Sequence, residues 1–371
     1  MAVGTVSSLL DAASRGERLK REEGLELLRE VDLLDLGRAA DQRRKMLHPE
    51  SRVTFILDRN INYSNVCNVS CRFCAFYRRE KDADAYVLSR EELARKIEET
   101  LDVGGSQILM QGGVHPGLKI DWYEDMLRWI RENYGIHVHA FSPVEIRRIA
   151  EYSDLSIMEA LKRLQAAGLD SVPGGGAEIL ADRVRREISP LKDSADEWLE
   201  VMETAHSIGM RTTATMMFGH VESDEEILEH LHRLREVQDR TRGFTAFIPW
   251  TFQPENTRLK AEKASAVDYL RVLALSRLYL DNFENLQLSY VTMGAKIGQV
   301  AMRFGANDFG SLMLEENVVS QAGASFLMSR EEIVRLIRDA GFRPALRNQR
   351  YEILEELEEP EAQRVDSRAR I

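Results

Sequence analysis

Three cysteines lie within eight residues of one another, and this 371-residue chain contains no others. They are Cys67, Cys71 and Cys74, so their spacing is C-x3-C-x2-C. Three soft thiolates on one short loop suit a [4Fe–4S] cluster, which usually takes four cysteine ligands. Because the chain supplies only three, one iron would stay open for a ligand that is not a cysteine. The spacing therefore predicts a cluster that takes part in chemistry.

Two other interpretations of the cysteines stay open, and a protein that binds an iron–sulfur cluster or zinc without catalysing a reaction is the functional alternative. A zinc site would need a histidine as its fourth ligand, since the chain has no second cysteine pair, and His115 or His220 could supply it. The cysteines could also be buried as small apolar side chains. Three so close together in an otherwise cysteine-free chain make burial alone a weak explanation.

From residue 53 onward, short apolar or β-branched segments alternate with longer helical ones. The intervening stretches carry apolar residues at helical spacing, and several begin with Ser or Asp and end at Gly. This alternation predicts an α/β fold with a TIM-like (βα)8 barrel, and a partial six-stranded barrel is the alternative. Eight segments have strand character: VTFILDRNINY, SQILMQ, HVHAF, LDSVP, RTTATMMF, FTAFIPW, LQLSYV and a weaker one near FGAND.

The chain divides into three predicted regions. Residues 1–50 hold two amphipathic helices and form an N-terminal helical extension. Residues 51–310 form the barrel, and residues 311–371 form a C-terminal extension that ends in a highly charged stretch. The cysteine loop belongs to the barrel region, directly after its first strand.

The bulk composition is that of a globular enzyme, with 44% hydrophobic and 30% charged residues. A net charge of −11 without a long basic run argues against nucleic acid as a partner. No apolar run is long enough to span a bilayer, and no signal peptide is evident at the N-terminus. Three cysteines without a disulfide framework predict a cytoplasmic location.

Loops rich in glycine, proline and polar residues follow six of the predicted strands. The catalytic end of a parallel barrel is the end at which its strands terminate, so these loops should meet at one mouth. The alternative is that Gly and Pro serve there as ordinary turn residues. The loops are the cysteine loop, QGGVHP, SPVE, PGGGAE, MFGHVE and PWTFQP.

The cysteine spacing, with Phe73 before the last cysteine, resembles that of the radical S-adenosylmethionine (SAM) superfamily. The resemblance implies that SAM binds the open iron through its amino and carboxylate groups. An electron from the reduced cluster would then cleave SAM to methionine and a 5′-deoxyadenosyl radical. The protein's part is to orient and protect these groups.

The same resemblance implies a set of SAM-binding residues around the mouth. Gln111, Gly112 and Gly113 would lie against the methionine amino group, although Val114 replaces the family's usual Glu. Glu145 would accept hydrogen bonds from the ribose, but it could equally be a helix N-terminal carboxylate. Arg183 could pair with the SAM carboxylate, and a solvated helix face is the favoured alternative.

Longer segments resemble the cyclic dehypoxanthinyl futalosine synthase family of menaquinone biosynthesis. The resemblance implies hydrogen abstraction from the ribose 4′ carbon of dehypoxanthinyl futalosine and oxidative cyclisation onto its aromatic ring. It also implies a reduced flavodoxin or ferredoxin as electron donor. Aminofutalosine synthase, in which the adenosyl radical adds to the substrate, is the alternative. The segments include RNINYSNVC, CRFCAFYR, QGGVHPGLKIDWYEDML, HAFSPVEI, GLDSVPGGGAEIL, TATMMFGHVE, GFTAFIPWTFQPENT and GANDFGSLMLEENVV.

That reaction needs a substrate site and a cation for the substrate carboxylate. In PWTFQP, Trp250 would form an apolar wall, and Thr251 and Gln253 would offer neutral hydrogen bonds. Barrel core is the slightly favoured alternative for Trp250. Arg78, just past the cysteine loop, is the candidate for the carboxylate.

The reaction also needs a base that removes the ring proton. His220, its neighbour Glu222, and Asp308 are the candidates. A lone histidine at a strand end is more often a structural hydrogen-bonding group. His137 and His139 alternate along the third strand and so share one face, where packing is the expected role of both.

Overall fold

A computed structural model describes residues 3–323 and 326–357 of the chain. The helices are α1 (Val3–Ser14), α2 (Arg21–Glu30), α3 (Leu33–Leu47), α4 (Arg90–Asp102), α5 (Ile120–Asn133), α6 (Pro143–Tyr152), α7 (Ile157–Ala167), α8 (Asp182–Ile188), α9 (Ala195–Ser207), α10 (Asp224–Thr241), α11 (Ala266–Tyr279), α12 (Tyr290–Met293), α13 (Ala295–Ala301), α14 (Val318–Gln321) and α15 (Arg330–Asp339), with a 3₁₀ turn at Met302–Phe304. The strands are β1 (Arg52–Ile56), β2 (Asp58–Ile61), β3 (Gln107–Met110), β4 (His137–Ala140), β5 (Ser171–Val172), β6 (Arg211–Phe218), β7 (Phe244–Thr251), β8 (Asn285–Leu286), β9 (Asp308–Ser311), β10 (Arg343–Arg347) and β11 (Ile353–Glu356).

The parallel strands form a closed circuit. Seven of them lie in the order β2-β3-β4-β5-β6-β7-β8. Gln287, just after β8, makes a parallel bridge to Asp308 in β9, and β9 pairs in parallel with β1. Since β1 continues into β2 across Leu57, the circuit returns to its start. The predicted α/β barrel is confirmed, and its larger sheet holds seven strands rather than the six of the alternative.

Serine capping boxes begin many of the helices that follow the strands. In α4, α6, α7, α9, α10 and α15 a serine side chain accepts from the third helical residue, and a Glu there accepts from the serine N–H. Such boxes satisfy the N–H groups that a helix start leaves unpaired. They fix where each loop ends, which confirms the Ser signals seen in the sequence.

Three helices, not the predicted two, precede the barrel. The expected second helix is divided because Asp32 accepts a hydrogen bond from Leu34 N–H and so begins α3. These helices pack closely on the barrel wall through glycine. A Cβ at Gly37 would lie 2.6 Å from the Phe304 ring, and one at Gly24 would lie 2.7 Å from Tyr279.

The segment after α15 adds a second sheet that the sequence did not suggest. The lower half of the first strand, β1, pairs in parallel with β10, whereas its upper half, β2, pairs with β3. β11 extends this sheet antiparallel to β10. The charged stretch beyond residue 357 lies outside the described residues. Among those described, no helix is both long and apolar enough to cross a bilayer.

A buried ion pair joins β10 to the barrel. Arg347 lies 2.5 Å and 2.9 Å from the two carboxylate oxygens of Asp308, and both side chains are almost fully buried. Thr54 of β1 also donates to this carboxylate. The pair therefore ties β1, β9 and β10 together at the lower end of the barrel.

We expect Asp308→Asn to destabilise the protein by about 3–5 kcal/mol, because it leaves the Arg347 guanidinium buried without its counter-charge. Urea unfolding would measure this. Asp339→Asn, which removes one half of the exposed Arg335 pair, is the matched control and should change stability by less than about 1 kcal/mol. Equal effects of the two substitutions would contradict a structural role for the buried pair.

Candidate active site

The cysteine loop follows β2 and lies directly against the QGG segment that follows β3. Gly113 N–H donates to Ser64 O at 2.8 Å, and Asn68 N–H donates to Val114 O at 3.2 Å. A Cβ at Gly113 would stand 2.1 Å from Val66 O. The two loops can therefore approach this closely only because residue 113 is glycine. The structure thus brings two of the predicted site segments together.

The three cysteines share a small apolar pocket. Cys71 is buried among Val69, Val114 and Val144, and Cys67, Phe73 and Cys74 pack against this group. Burial raises the pKa of the Cys71 thiol to about 12 and also raises that of Cys74. Thiolates in such a pocket need a compensating cationic centre, and the irons of a cluster would supply it. The donor set thus fits the predicted [4Fe–4S] group.

The zinc alternative finds no support in the part of the chain that is described. There, no three His, Cys, Asp or Glu side chains gather around one point as ligands of a single ion would. The imidazole of His115 accepts from Gly117 N–H, and His220 is engaged elsewhere. A cluster places each thiolate on a different iron, so its cysteines need not converge on one point.

A buried charge pair beside the cysteines escaped the sequence reasoning. Lys192 Nζ lies 2.8 Å from Glu178 Oε1 and 5.1 Å from the centre of the Phe73 ring. Ser189, three residues earlier, donates to Cys71 Sγ at 2.8 Å. Lysine in a loop is ordinarily a surface residue, so only the tertiary structure identifies this one.

Glu145 is fully engaged by the protein. One carboxylate oxygen accepts from Tyr63 OH at 2.7 Å and from Gly112 N–H at 3.0 Å. The other accepts from the N–H and hydroxyl of Ser142 in the capping box of α6. Burial raises the pKa of Glu145, although these hydrogen bonds oppose that shift. Its contacts with Ser142 are those expected if Glu145 is a carboxylate at a helix N-terminus. It also fixes the QGG segment through the hydrogen bond from Gly112 N–H. A role at the ribose stays a prediction.

The two candidate arginines have other partners. Arg183 is half-exposed and donates to Glu226, Glu187 and Val221 O, which is the solvated helix face of the alternative. Arg78 pairs with Asp84 and donates to the carbonyls of residues 75, 76 and 77. Arg78 therefore shapes the loop that carries the cysteines. No observation tests whether either one binds a carboxylate.

His220 and Glu222 form a turn after β6. Their side chains meet at 2.9 Å and are almost fully buried, and Glu222 also accepts from Gly219 and His220 N–H. Burial alone would raise the pKa of Glu222, but the hydrogen bonds and the charge of His220 outweigh it and lower the pKa to about 2. Neither residue lines the cavity of the barrel, so catalysis by either one stays a prediction.

A cavity of about 270 Å³ occupies the barrel interior. Trp250 lines it, as the substrate-wall prediction requires, and so does Gln111. Thr251 and Gln253 do not; Thr251 is buried beside Met293, and Gln253 donates back to Thr251. Asp308 is neutralised by Arg347, so of the three proposed bases none stands free on the cavity wall.

Polar groups that the sequence reasoning did not assign line this cavity. Asp58 accepts from Ser311 Oγ and from Gln107 Nε2, and burial raises its pKa. His139 also lies on the wall, and Arg347, Gln349 and Tyr351 close the lower end. Alternation along β2, β3 and β4 could have identified Asp58, Gln107 and His139 as facing one side. Arg347, Gln349 and Tyr351 could not be identified in this way, because the pairing that brings β10 beside β1 is not local in the sequence.

The turn at Glu222 predicts an acid-dependent loss of stability. A depressed pKa contributes stability that is present above the pKa of the unfolded chain, near 4.3, and is lost as pH falls towards 2. Glu222→Gln should therefore lower the free energy of unfolding by up to about 3 kcal/mol at pH 7. The difference in unfolding free energy between variant and wild type should shrink below pH 4. Urea unfolding at several pH values would measure this difference, and a constant difference would contradict the prediction.

The cysteine pocket predicts graded effects on a bound cluster. Replacing Cys67, Cys71 or Cys74 with Ala should abolish stable binding of iron and sulfide after anaerobic reconstitution, because each removes one thiolate. Ser189→Ala keeps all three thiolates and is the control. It should retain iron and lower the reduction potential, because hydrogen bonds to cluster sulfurs help to set the potential. Normal iron content in any alanine variant would exclude that cysteine as a ligand.

Two family models match the chain. The model of the radical SAM superfamily matches residues 61–234. The model of the CofH/MqnC C-terminal region matches residues 241–360. Together they extend from the first barrel strand to beyond β11.

Named relatives align with nearly the whole chain. The cyclic dehypoxanthine futalosine synthase of Halalkalibacterium halodurans is 48% identical, covering 98% of each chain. That of Streptomyces coelicolor is 45% identical over 97% of this chain and 92% of its own. The 5-amino-6-(D-ribitylamino)uracil–L-tyrosine 4-hydroxyphenyl transferase of Methanothermobacter thermautotrophicus is 42% identical over 92% of this chain and 96% of its own.

Solved structures share the fold at much lower identity. HydG, a maturase of the [FeFe]-hydrogenase, superposes with a TM-score of 0.72 at 16% identity, over 93% of this chain and 76% of its own. Methylornithine synthase (PylB) superposes with a TM-score of 0.71 at 18% identity, over 91% of this chain and 97% of its own. Radical SAM enzymes use a [4Fe–4S] cluster and SAM, and the three-cysteine loop at the barrel mouth has the donor set for such a cluster. The chain belongs to the radical SAM superfamily of enzymes, in the branch that carries the CofH/MqnC C-terminal region.

Proposed function

We propose that this enzyme converts dehypoxanthinyl futalosine to its cyclic product by oxidative cyclisation, as a step of menaquinone biosynthesis. The observation that carries the proposal is the connection between the cysteine pocket and the barrel cavity. Gln111 lines the cavity, and Gly113, two residues on, touches the cysteine loop. Glu178 also lines the cavity and pairs with Lys192 beside Phe73. Identities of 48% and 45% to synthases of that name support the choice of substrate.

In this proposal Cys67, Cys71 and Cys74 hold the cluster, and Gln111, Gly112 and Gly113 lie along the bound SAM. When bound, these groups supply the reducing electron and the 5′-deoxyadenosyl radical. The narrow separation of the two loops at Gly113 limits where SAM can lie. Correct placement of a reactive radical against one C–H bond is the main requirement of such chemistry.

The cavity walls suit a substrate with an aromatic ring. Trp250, Tyr290 and Phe309 line it together with polar side chains from β2 and β3. Aromatic rings provide apolar contact in preferred edge and offset geometries, and they would hold the substrate ring near its ribose. The buried walls would also keep water from the radical.

The surface near the cysteine loop offers arginines to an acidic electron donor, beside the exposed carboxylates of Glu80, Asp82 and Asp84. Arg72, Arg79 and Arg258 are exposed there, and Arg258 donates to the carbonyls of Ser70 and Cys71. Charge complementarity of this kind speeds association. We infer a reduced flavodoxin or ferredoxin as donor. We also infer a cytoplasmic location, since none of the three cysteines is in a disulfide and all three would be prone to oxidation in an oxidising compartment.

A product assay tests the proposed reaction. Anaerobic enzyme, reductant, SAM and dehypoxanthinyl futalosine should give cyclised product and free 5′-deoxyadenosine in equal amounts. Cys71→Ala should give neither, because it removes a cluster ligand. Transfer of the adenosyl group to an enol-ether substrate, supplied in place of dehypoxanthinyl futalosine, would instead identify an aminofutalosine synthase. Turnover only with L-tyrosine and a ribitylaminouracil would identify the activity named for the methanogen relative.

A further inference from the structure

Two histidines and a serine form a continuous hydrogen-bonded chain across the lower barrel wall. His139 Nδ1 lies 2.7 Å from Ser171 Oγ, and the same oxygen lies 2.8 Å from His137 Nε2. His139 and Ser171 are directly paired across β4 and β5. Since His137 and His139 are two residues apart on one strand, their side chains share its inner face.

The chain connects two different cavities. His139 lines the inner cavity of about 270 Å³ in which the substrate is proposed to bind. His137 and Ser171 line a second cavity of about 740 Å³ below it. The lower cavity is lined mostly by polar side chains, and it opens to solvent where Arg211, Arg242 and Arg350 are exposed. Gln349 and Tyr351 line both cavities and separate them.

The hydrogen-bond partners give the chain a direction. Gln349 Nε2, a donor only, lies 3.2 Å from His139 Nε2, so that nitrogen accepts and His139 carries its proton on Nδ1. His139 Nδ1–H then donates to Ser171 Oγ, and the Ser171 hydroxyl donates to His137 Nε2. The remaining His137 nitrogen, Nδ1, lies 3.9 Å from Asp170 in the lower cavity. Every donor therefore points from the inner cavity towards solvent.

Both imidazoles are neutral in this arrangement, as such a chain requires. Burial lowers the pKa of His139 to about 3, and the nearby His137 and Arg347 act in the same direction. Burial also lowers the pKa of His137, with Asp170 opposing and Arg350 reinforcing the shift. A neutral imidazole has one donor and one acceptor nitrogen, so it can receive a proton on one side and release another from the opposite side.

We propose that His139, Ser171 and His137 form a proton relay that carries the proton released in cyclisation from the substrate cavity to the solvent below the barrel. This rests on the proposed function, in which the ring loses one proton and one electron after the carbon–carbon bond has formed. His139 Nε2 exchanges its hydrogen bond from Gln349 for the ring proton, and its Nδ1 proton passes to Ser171 as the serine proton passes to His137. His137 then releases its Nδ1 proton into the lower cavity. SAM is the oxidant of the overall reaction, so the electron that leaves the ring balances the one consumed in SAM cleavage.

The relay explains how the proton can leave a cavity whose mouth the cofactor and its loops would fill. It also assigns the proton acceptor to a residue that faces the cavity, unlike His220 and Glu222. Ser171 is the informative position, because its hydroxyl is the only group between the two imidazoles in the chain just described.

The test compares Ser171→Ala with Ser171→Thr, which keeps a hydroxyl. We expect both variants to bind the cluster and to make 5′-deoxyadenosine, because Ser171 does not touch the cysteine pocket. In Ser171→Ala the rate at which cyclised product forms should fall by about 100-fold, the usual scale of a lost acid–base group, and Ser171→Thr should restore at least part of that rate. Thr245→Val removes a different hydroxyl from the lower cavity and should leave the rate of product formation unchanged. A wild-type rate of product formation in Ser171→Ala would overturn the relay.

Nitrogen-15 NMR of histidine-labelled full-length protein tests the relay without turnover. His139 should be neutral with its proton on Nδ1, assigned by loss of its signals in His139→Gln, and Ser171→Ala should shift that Nδ1–H resonance. A proton on Nε2 of His139, or an unchanged resonance in Ser171→Ala, would contradict the relay. Absence of cyclised product from the wild-type enzyme would instead refute the proposed function, and the NMR result would still decide the hydrogen-bond chain.

Discussion

The contact between Gly113 and the carbonyl of Val66 determines where the cysteine loop lies on the barrel. No larger residue fits between the two backbones, since a single added carbon would stand 2.1 Å from the Val66 oxygen. Glu145 supports the contact from the other side by accepting from Gly112 N–H. A helix-capping carboxylate thus also positions the segment against which SAM is proposed to bind. The geometry of the mouth therefore depends on backbone approach and not on long, adaptable side chains.

The barrel itself could be predicted from the sequence because its signals are local. Alternating strand and helix patterns gave the order of the elements, and Ser–Glu capping pairs marked where the helices begin. The same local reasoning failed at Asp32, where a cap divides one apolar pattern into two helices. It also missed β10, which pairs with β1 almost 300 residues earlier in the chain, and β11, which pairs with β10.

The candidate site was predictable where spacing alone carries the chemistry. Cys67, Cys71 and Cys74 are recognisable in any fold, whereas the direction in which a charged side chain points is not. Arg183 and Arg78 are close in sequence to loops of the mouth but pair with carboxylates and carbonyls elsewhere. Lys192 shows the converse, because an unremarkable loop lysine is buried beside Phe73. His137 and His139 were assigned to one face correctly, but their partner Ser171 comes from the neighbouring strand.

The pairing of β10 with β1 has a consequence for the order of events during synthesis. A domain generally folds as a unit, and β10 follows every strand of the barrel in the chain. Until residues 343–351 have been synthesised, the lower end of the cavity has no Arg347, Gln349 or Tyr351, and Asp308 has no counter-charge. The cysteine loop and its QGG partner are complete long before then. The two ends of the cavity thus come from opposite ends of the chain, and its lower end can close only when synthesis is nearly complete.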